Sequence, residues 1–115
     1  MSITHSELAP WSHFSSLDIR VGQIVDAQVF PEAKKPAYQL LIDFGSMGIK
    51  KSSAQLTLDY TPDELIGKQI VAIINFPPKQ IAHVKSECLV LGVVSGPNVR
   101  LLIPDIKVEN GLKIG

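Results

Sequence analysis

Six lysines fall in three close groups: Lys34 with Lys35, Lys50 with Lys51, and Lys79 with Lys85. Grouped ammonium charges neutralise phosphates and release the counterions condensed on them, so their elementary chemistry is the binding of a polyanion. Ser52, Ser53 and Gln55 directly follow the second pair. Such hydroxyls and amides donate to phosphate oxygens or pair with the 2′-hydroxyl of RNA. The stretch from Asn75 to Ser86 holds Lys79 and Lys85 and no acid, whereas Asp18, Asp26, Asp59, Asp63, Glu64, Asp105 and Glu109 lie elsewhere. Formal net charge is zero, which argues against a chain that coats nucleic acid indiscriminately. Paired lysines on a loop are also ordinary solvated charges, so the binding chemistry depends on whether the fold brings them together.

Catalytic chemistry finds little support. No phosphate-binding loop, G-x-S-x-G or H-E-x-x-H motif occurs. His5, His13 and His83 are isolated from one another; His83 is placed to touch phosphate, but a plain surface histidine is the simpler account. The single cysteine, Cys88, excludes an intramolecular disulfide and a cysteine-based zinc site, and its apolar run Cys88–Gly92 reads as a buried core thiol. The expectation is a non-enzyme with no cofactor and no metal. No apolar run approaches the roughly 20 residues that cross a bilayer, and Met1–Pro10 lacks the character of a secretory leader. The expected location is the cytoplasm, without membrane insertion.

The elements that would position these residues follow from periodicity. Pro10 suits the first turn of a short helix, with Trp11, Phe14 and Leu17 at three-residue spacing. This stripe could pack on the chain's own core or form part of a subunit interface, where Trp and Phe are favoured. Ile19–Val29 alternates as a half-buried strand, with a bend expected at Gly22. The loop Phe30–Ala37 carries Lys34 and Lys35. Tyr38–Phe44 is a second strand, and Ile49–Leu58 a third that is polar enough to need a face open to solvent or ligand. Thr61, Pro62, Glu64 and Gly67 are the cap, first residue, capping-box acid and stop of a short helix. Gln69–Phe76, Glu87–Val94 and Val99–Ile103 follow as strands, with 75–86 between the first two as a loop.

Three strands, one helix and further strands match the order of an OB-fold, an all-β, five-stranded Greek-key barrel with its helix between strands three and four. Terminal extensions flank it, and residues 1–115 would form one domain, with 1–17 an N-terminal helical extension. An OB-fold binds ligands on strands two and three, between the loops that here carry Lys34/Lys35 and Lys79/Lys85. A generic β-sandwich is the alternative, but it does not call for the single helix.

Five strings add a resemblance. LDIRVGQI (17–24), NFPPKQIAHVKSECLVLG (75–92) and PDIKVENGLKIG (104–115) are similar to motifs of the tRNA-binding domain found at the C-terminus of many methionyl-tRNA synthetases. KPAYQLLIDFG (35–45) and GIKKSSAQLT (48–57) resemble one branch of it, the CsaA family of export-related chaperones. The resemblance implies an OB-fold homodimer that binds tRNA by shape, and a chaperone role toward unfolded or pre-export polypeptides. Carried over by position, Asn75, Lys79 and Ser86 match the general tRNA-binding motif, and Lys50, Lys51, Ser52, Ser53 and Gln55 match the CsaA strand-three segment. This chain departs from the general motif after its serine, with Glu87-Cys88 where Gly-Met is common.

Two functions follow as expectations. One is a tRNA-binding protein with peptide-binding chaperone activity; the other is a dedicated secretion chaperone with no physiological RNA ligand. The expected dimer interface joins Trp11, Phe14 and Leu17 to the C-terminal Val108, Leu112 and Ile114, because a small barrel has little spare surface to cover apolar termini.

Overall fold

The computed structural model describes residues 7–115, so the reading of His5 lies outside the described residues. Strand β1 (Ile19–Val29) is the spine of the fold. It buries Ile19, Val21, Ile24 and Ala27, with the alternation broken at Gly22 and again at the register shift past Ile24. β2 (Tyr38–Asp43) pairs antiparallel with its C-terminal half, across a register shift between Ile24 and Asp26, and β3 (Ile49–Ala54) pairs antiparallel with β2. β4 (Gln69–Ile73) pairs with the N-terminal half of β1, and β7 (Leu89–Val90) with β4. The resulting order, β3-β2-β1-β4-β7, is a nearly closed five-stranded antiparallel barrel, the OB-fold expected from the sequence.

Helix α2 (Pro62–Leu65) lies between β3 and β4 as expected. Thr61 Oγ1 accepts from the Glu64 N–H at 3.3 Å, and Glu64 Oε1 accepts from the Thr61 N–H at 3.0 Å. This reciprocal cap fixes a helix too short to persist on propensity. Leu65, fully buried, plugs the barrel beside Ile24, Leu40, Ile42, Phe44 and Ile70.

Helix α1 (Trp11–Ser15) starts after Pro10, but none of its residues is buried and Trp11 is 74% exposed. The stripe therefore does not pack on this chain's own core. Four strand expectations need correction. β3 stops at Ala54, because the Leu56 N–H turns back to the Ala54 carbonyl. β4 stops at Ile73, because Ile74 and Asn75 bond to the segment ahead of β1. Residues within 75–86, expected as a loop, form a hairpin of β5 (Lys79–Ile81) and β6 (Val84–Ser86). The strand expected over 87–94 divides into β7 and β8 (Gly92–Ser95), the latter pairing with β9 (Asn98–Leu101).

The last residues form a strap. The Gly111 N–H donates to Val21 O at 2.7 Å, the Val21 N–H to Leu112 O at 2.9 Å, and the Ile114 N–H to Ile19 O at 2.8 Å. The strap thus covers the edge of β1 that β2 does not reach. The Gln69 side chain holds the strap by accepting from the Val108 N–H at 3.0 Å and donating to Asn110 Oδ1 at 2.9 Å.

Gly22 answers a close approach. A Cβ there would stand 2.6 Å from both Ile42 Cγ2 and Phe44 Cε1. Gly22→Ala should therefore destabilise the barrel by roughly 1–3 kcal/mol through overpacking. A lowered urea midpoint with an unchanged m-value checks this, and an unchanged midpoint would refute it.

Candidate nucleic-acid interface

The barrel closes along one seam, between β3 and residues 86–88. The Glu87 N–H donates to Lys51 O at 2.8 Å. The remaining stitches involve side chains. Glu87 Oε1 accepts from the Lys51 N–H at 2.9 Å, Ser86 Oγ accepts from the Ser53 N–H at 3.0 Å, and Ser52 Oγ donates to Cys88 O at 3.2 Å. β3 is thereby fixed against the foot of the β5–β6 hairpin. The hairpin tip meets the β1–β2 loop, where His83 stands edge-on to Phe30 with ring centroids 5.9 Å apart. Strand β3, the Lys34/Lys35 loop and the Lys79/Lys85 hairpin therefore adjoin one another.

Alternation along β3 sorts the expected residues. Lys51 and Ser53 lie across from Leu41 and Gln39, whereas Lys50 and Ser52 lie across from the buried Ile42 and Leu40. Lys51 is exposed, Lys50 is half-buried and Ser52 is fully buried. Neighbouring strand residues point to opposite faces, so Lys50 and Lys51 cannot serve one surface together. Lys34, Lys35, Gln55, Lys79 and Lys85 are exposed. Ser52 and Ser86 are engaged as stitches of the seam. Asn75 is exposed, yet its amide is in use: Oδ1 accepts from the Asp18 N–H and Nδ2 donates to Ser16 O, each at 2.8 Å. Glu87 is the structural residue the sequence did not single out, and its place directly after Ser86 on the seam was the available signal.

Beyond the last stitch the seam opens into a groove of about 580 Å³. Its walls include Phe76, Ile81, Leu89 and Leu101, with Gln55 and Lys79 among the polar residues. The β8–β9 hairpin borders it. Asp59 Oδ2 accepts from the Val99 N–H at 2.7 Å, the Tyr60 hydroxyl accepts from the Leu101 N–H at 3.0 Å, and the Arg100 guanidinium lies 4.8 Å from the Tyr60 ring centroid. Tyr38 does not face a ligand, being buried and donating to Tyr60 O at 2.7 Å. Among the described residues, no group of three or more His, Cys, Asp or Glu side chains is placed to hold a metal ion.

The expected dimer residues lie apart from the seam. Phe14 packs on Trp11 with ring centroids 5.2 Å apart, and Leu17 is half-buried at the start of β1. On the strap Leu112 is exposed, while Val108 and Ile114 are half-buried.

Residues 19–113 match the family model described as a putative tRNA binding domain. The chaperone CsaA of Bacillus anthracis str. Ames superposes with a TM-score of 0.91 at 50% identity, covering 94% of this chain and 99% of that one. The CsaA chaperone protein of Picrophilus torridus gives 0.88 at 52% identity, covering 94% and 100%. The methionine–tRNA ligase of Thermococcus onnurineus is 36% identical over 108 residues, which are 94% of this chain and only 14% of that protein's length.

Cys88 is buried beside the seam, and desolvation pushes its thiol from 9.0 up to about 11, assisted by Glu87 and opposed by the Ser52 hydrogen bond and by Lys50. The native protein should therefore resist alkylation at about pH 8, while the urea-unfolded chain is labelled. Because the folded value is the raised one, the unfolded chain loses its proton first, and stability should decline as pH rises from 9.0 to about 11. Cys88→Ala should remove that part of the decline; equal slopes for the two proteins would sink the assignment. The match to the family model covers most of the chain, and this chain belongs to the putative tRNA-binding domain family, with CsaA chaperones among the proteins it resembles.

Proposed function

We propose that this chain is a non-catalytic, structure-dependent tRNA-binding protein of CsaA type, working in the cytoplasm as a homodimer. The observation that carries this reading is the junction of three lysine-bearing segments at one seam. Lys34, Lys35, Lys51, Lys79 and Lys85 are all exposed there, whereas Lys50 is half-buried on the other face of β3. Gln55 and the outward edge of Ser53 supply the neutral donors. Aromatic stacking is scarce: among the described residues Phe76 and His83 are the aromatic side chains exposed near the lysines, and His83 is packed edge-on to Phe30, which favours recognition of a folded backbone over splayed bases. Asn75, Ser52 and Ser86 belong to this site as its framework.

A second reading has its own observation. The largely apolar groove beside the cationic face suits an extended polypeptide, which supports an export-related chaperone activity toward unfolded or pre-export chains. In its extreme form, the protein is a dedicated secretion chaperone without a physiological RNA ligand. Among the described residues, no helix is long and apolar enough to cross a membrane. The homodimer reading rests on Trp11, Phe14, Leu17, Val108, Leu112 and Ile114, where Trp11 is 74% and Leu112 48% exposed on a chain too small to leave such surface bare. Sedimentation at micromolar concentration should show twice the monomer mass; a clean monomer would end that reading.

Binding should weaken with salt. If about four lysines touch phosphates, log affinity for a folded tRNA falls with log salt at a slope of roughly −3 to −4. Lys79→Ala with Lys85→Ala should flatten the slope by about 1.5 to 2 and weaken tRNAs of different sequence alike. Thermal stability should move by no more than about half a kcal/mol. Aggregation suppression of an unfolded client should survive in Lys85→Ala alone, which lies outside the groove lining, if the groove is the polypeptide site. Wild-type protein that binds no tRNA even at low salt would leave the chaperone reading alone.

A further inference from the structure

The hairpin bearing Lys79 and Lys85 has three points of attachment. Its exit is held by Ser86 Oγ on the Ser53 N–H, and its tip by His83 against Phe30. Its entry begins at Asn75, whose amide bridges the Asp18 N–H and the Ser16 carbonyl, both at 2.8 Å. The Ile74 N–H adds a bond to Asp18 O at 2.9 Å, so the end of β4 is fastened to the chain just ahead of β1. Between Asn75 and Lys79 lie only Phe76, Pro77 and Pro78. Each proline locks its own φ and holds the preceding residue to extended conformations. A clasped residue followed by two prolines is a stiff arm, and the orientation set at Asn75 is passed to Lys79 and, through the Gln80–Lys85 pairing, to Lys85.

We propose that Asn75 is a positioning residue, which sets the cationic β5–β6 hairpin through its clasp on Ser16 and Asp18 and a rigid Pro77-Pro78 arm, rather than a residue that touches RNA. One N–H and one lone pair of the amide are engaged in the clasp, which pins the side chain against the segment ahead of β1; its second N–H and lone pair are open, so the mutant cycle is what separates positioning from contact. The proposal deepens the tRNA-binding reading and rests on it for its effect on affinity. Its effect on the hairpin does not depend on RNA.

The test is a mutant cycle on tRNA affinity, using an unmodified tRNA transcript at fixed salt, together with amide exchange of Lys79–Ser86 in the free protein. Asn75→Ala should weaken wild-type binding roughly five- to tenfold but the Lys79→Ala/Lys85→Ala protein by less than about twofold, because residues acting through one another are not additive. Exchange across Lys79–Ser86 should quicken in Asn75→Ala while the β1 amides stay protected. Pro77→Gly with Pro78→Gly leaves the clasp and the lysines in place and should reproduce the loss, so the proposal stays testable if Asn75→Ala folds poorly. Equal fold-losses in the two lysine backgrounds would make Asn75 a direct contact and overturn the proposal, as would no loss in the wild-type background. If wild-type protein fails to bind the transcript, the RNA reading falls by itself, and unquickened exchange in Asn75→Ala would separately overturn the clasp.

Discussion

The closure of the barrel at the β3 seam is the constraint on which the rest depends. Four of its strand pairings are main-chain ladders, one of them with a register shift in β1, but the last is made by one main-chain bond and three side-chain substitutes from Ser52, Ser86 and Glu87. A side-chain hydroxyl or carboxylate that takes the place of a ladder bond satisfies the backbone only while its partner stays in register. The seam therefore dictates where residues 86–88 lie, and with them the hairpin that precedes them. It also leaves the barrel open beyond the last stitch, which makes the groove. Closure, cationic face and groove are three results of the same local geometry.

The opposite edge of the fold is handled in a different way. β1 is longer than either of its partners, so each half pairs with a different strand and part of one edge is left free. The C-terminal strap covers it, and the strap is held by amides. Gln69 grips the main chain of Val108, and Asn110 Nδ2 donates to Gln23 Oε1 at 3.1 Å. An amide offers donor and acceptor together and so can read a strand's alternating N–H and C=O groups as another strand would. The strap and the N-terminal helix carry exposed apolar residues of both termini, Trp11 and Leu112 among them, outside the barrel.

The parts of this architecture that were legible in the sequence are those written in local patterns. β1 shows itself through a long run of mostly alternating apolar residues, although its burial changes phase at Gly22 and past Ile24, and α2 announces itself through Thr61, Pro62 and Glu64. The β5–β6 hairpin was not legible, because strands of three residues with only Ile81 and Val84 apolar are too short for a period to emerge. Ser52 was misplaced for a related reason. A polar residue in a polar strand reads as outward-facing, and only its long-range partner, the Cys88 carbonyl, makes the inward position affordable. The same applies to Asn75 and Ser86, whose motif positions signalled importance without saying whether they touch a ligand or hold what does. The lysine groups were legible as a constellation, although the alternation of β3 splits Lys50 from Lys51.

A neutral chain in which five of the eleven Lys and Arg side chains, Lys34, Lys35, Lys51, Lys79 and Lys85, adjoin one another has a different physics from a basic one. Its far field is that of a dipole, which fades faster with distance than a net charge and is screened over about 8–10 Å at physiological salt. Such a protein gains little from any stretch of polyanion that merely passes nearby. Attraction becomes appreciable only when several phosphates reach several lysines at once, and this requires the ligand's shape to match the spacing of the lysines. That spacing must then be rigid, since a mobile lysine would adapt to any backbone and lose the discrimination. The clasp at Asn75, the paired prolines, the Ser86 stitch and the His83–Phe30 contact are all investments in rigidity around two flexible side chains. For the proposed tRNA binding, zero net charge and a braced hairpin would be complementary: one would suppress binding by charge alone, and the other would let the ligand's shape decide.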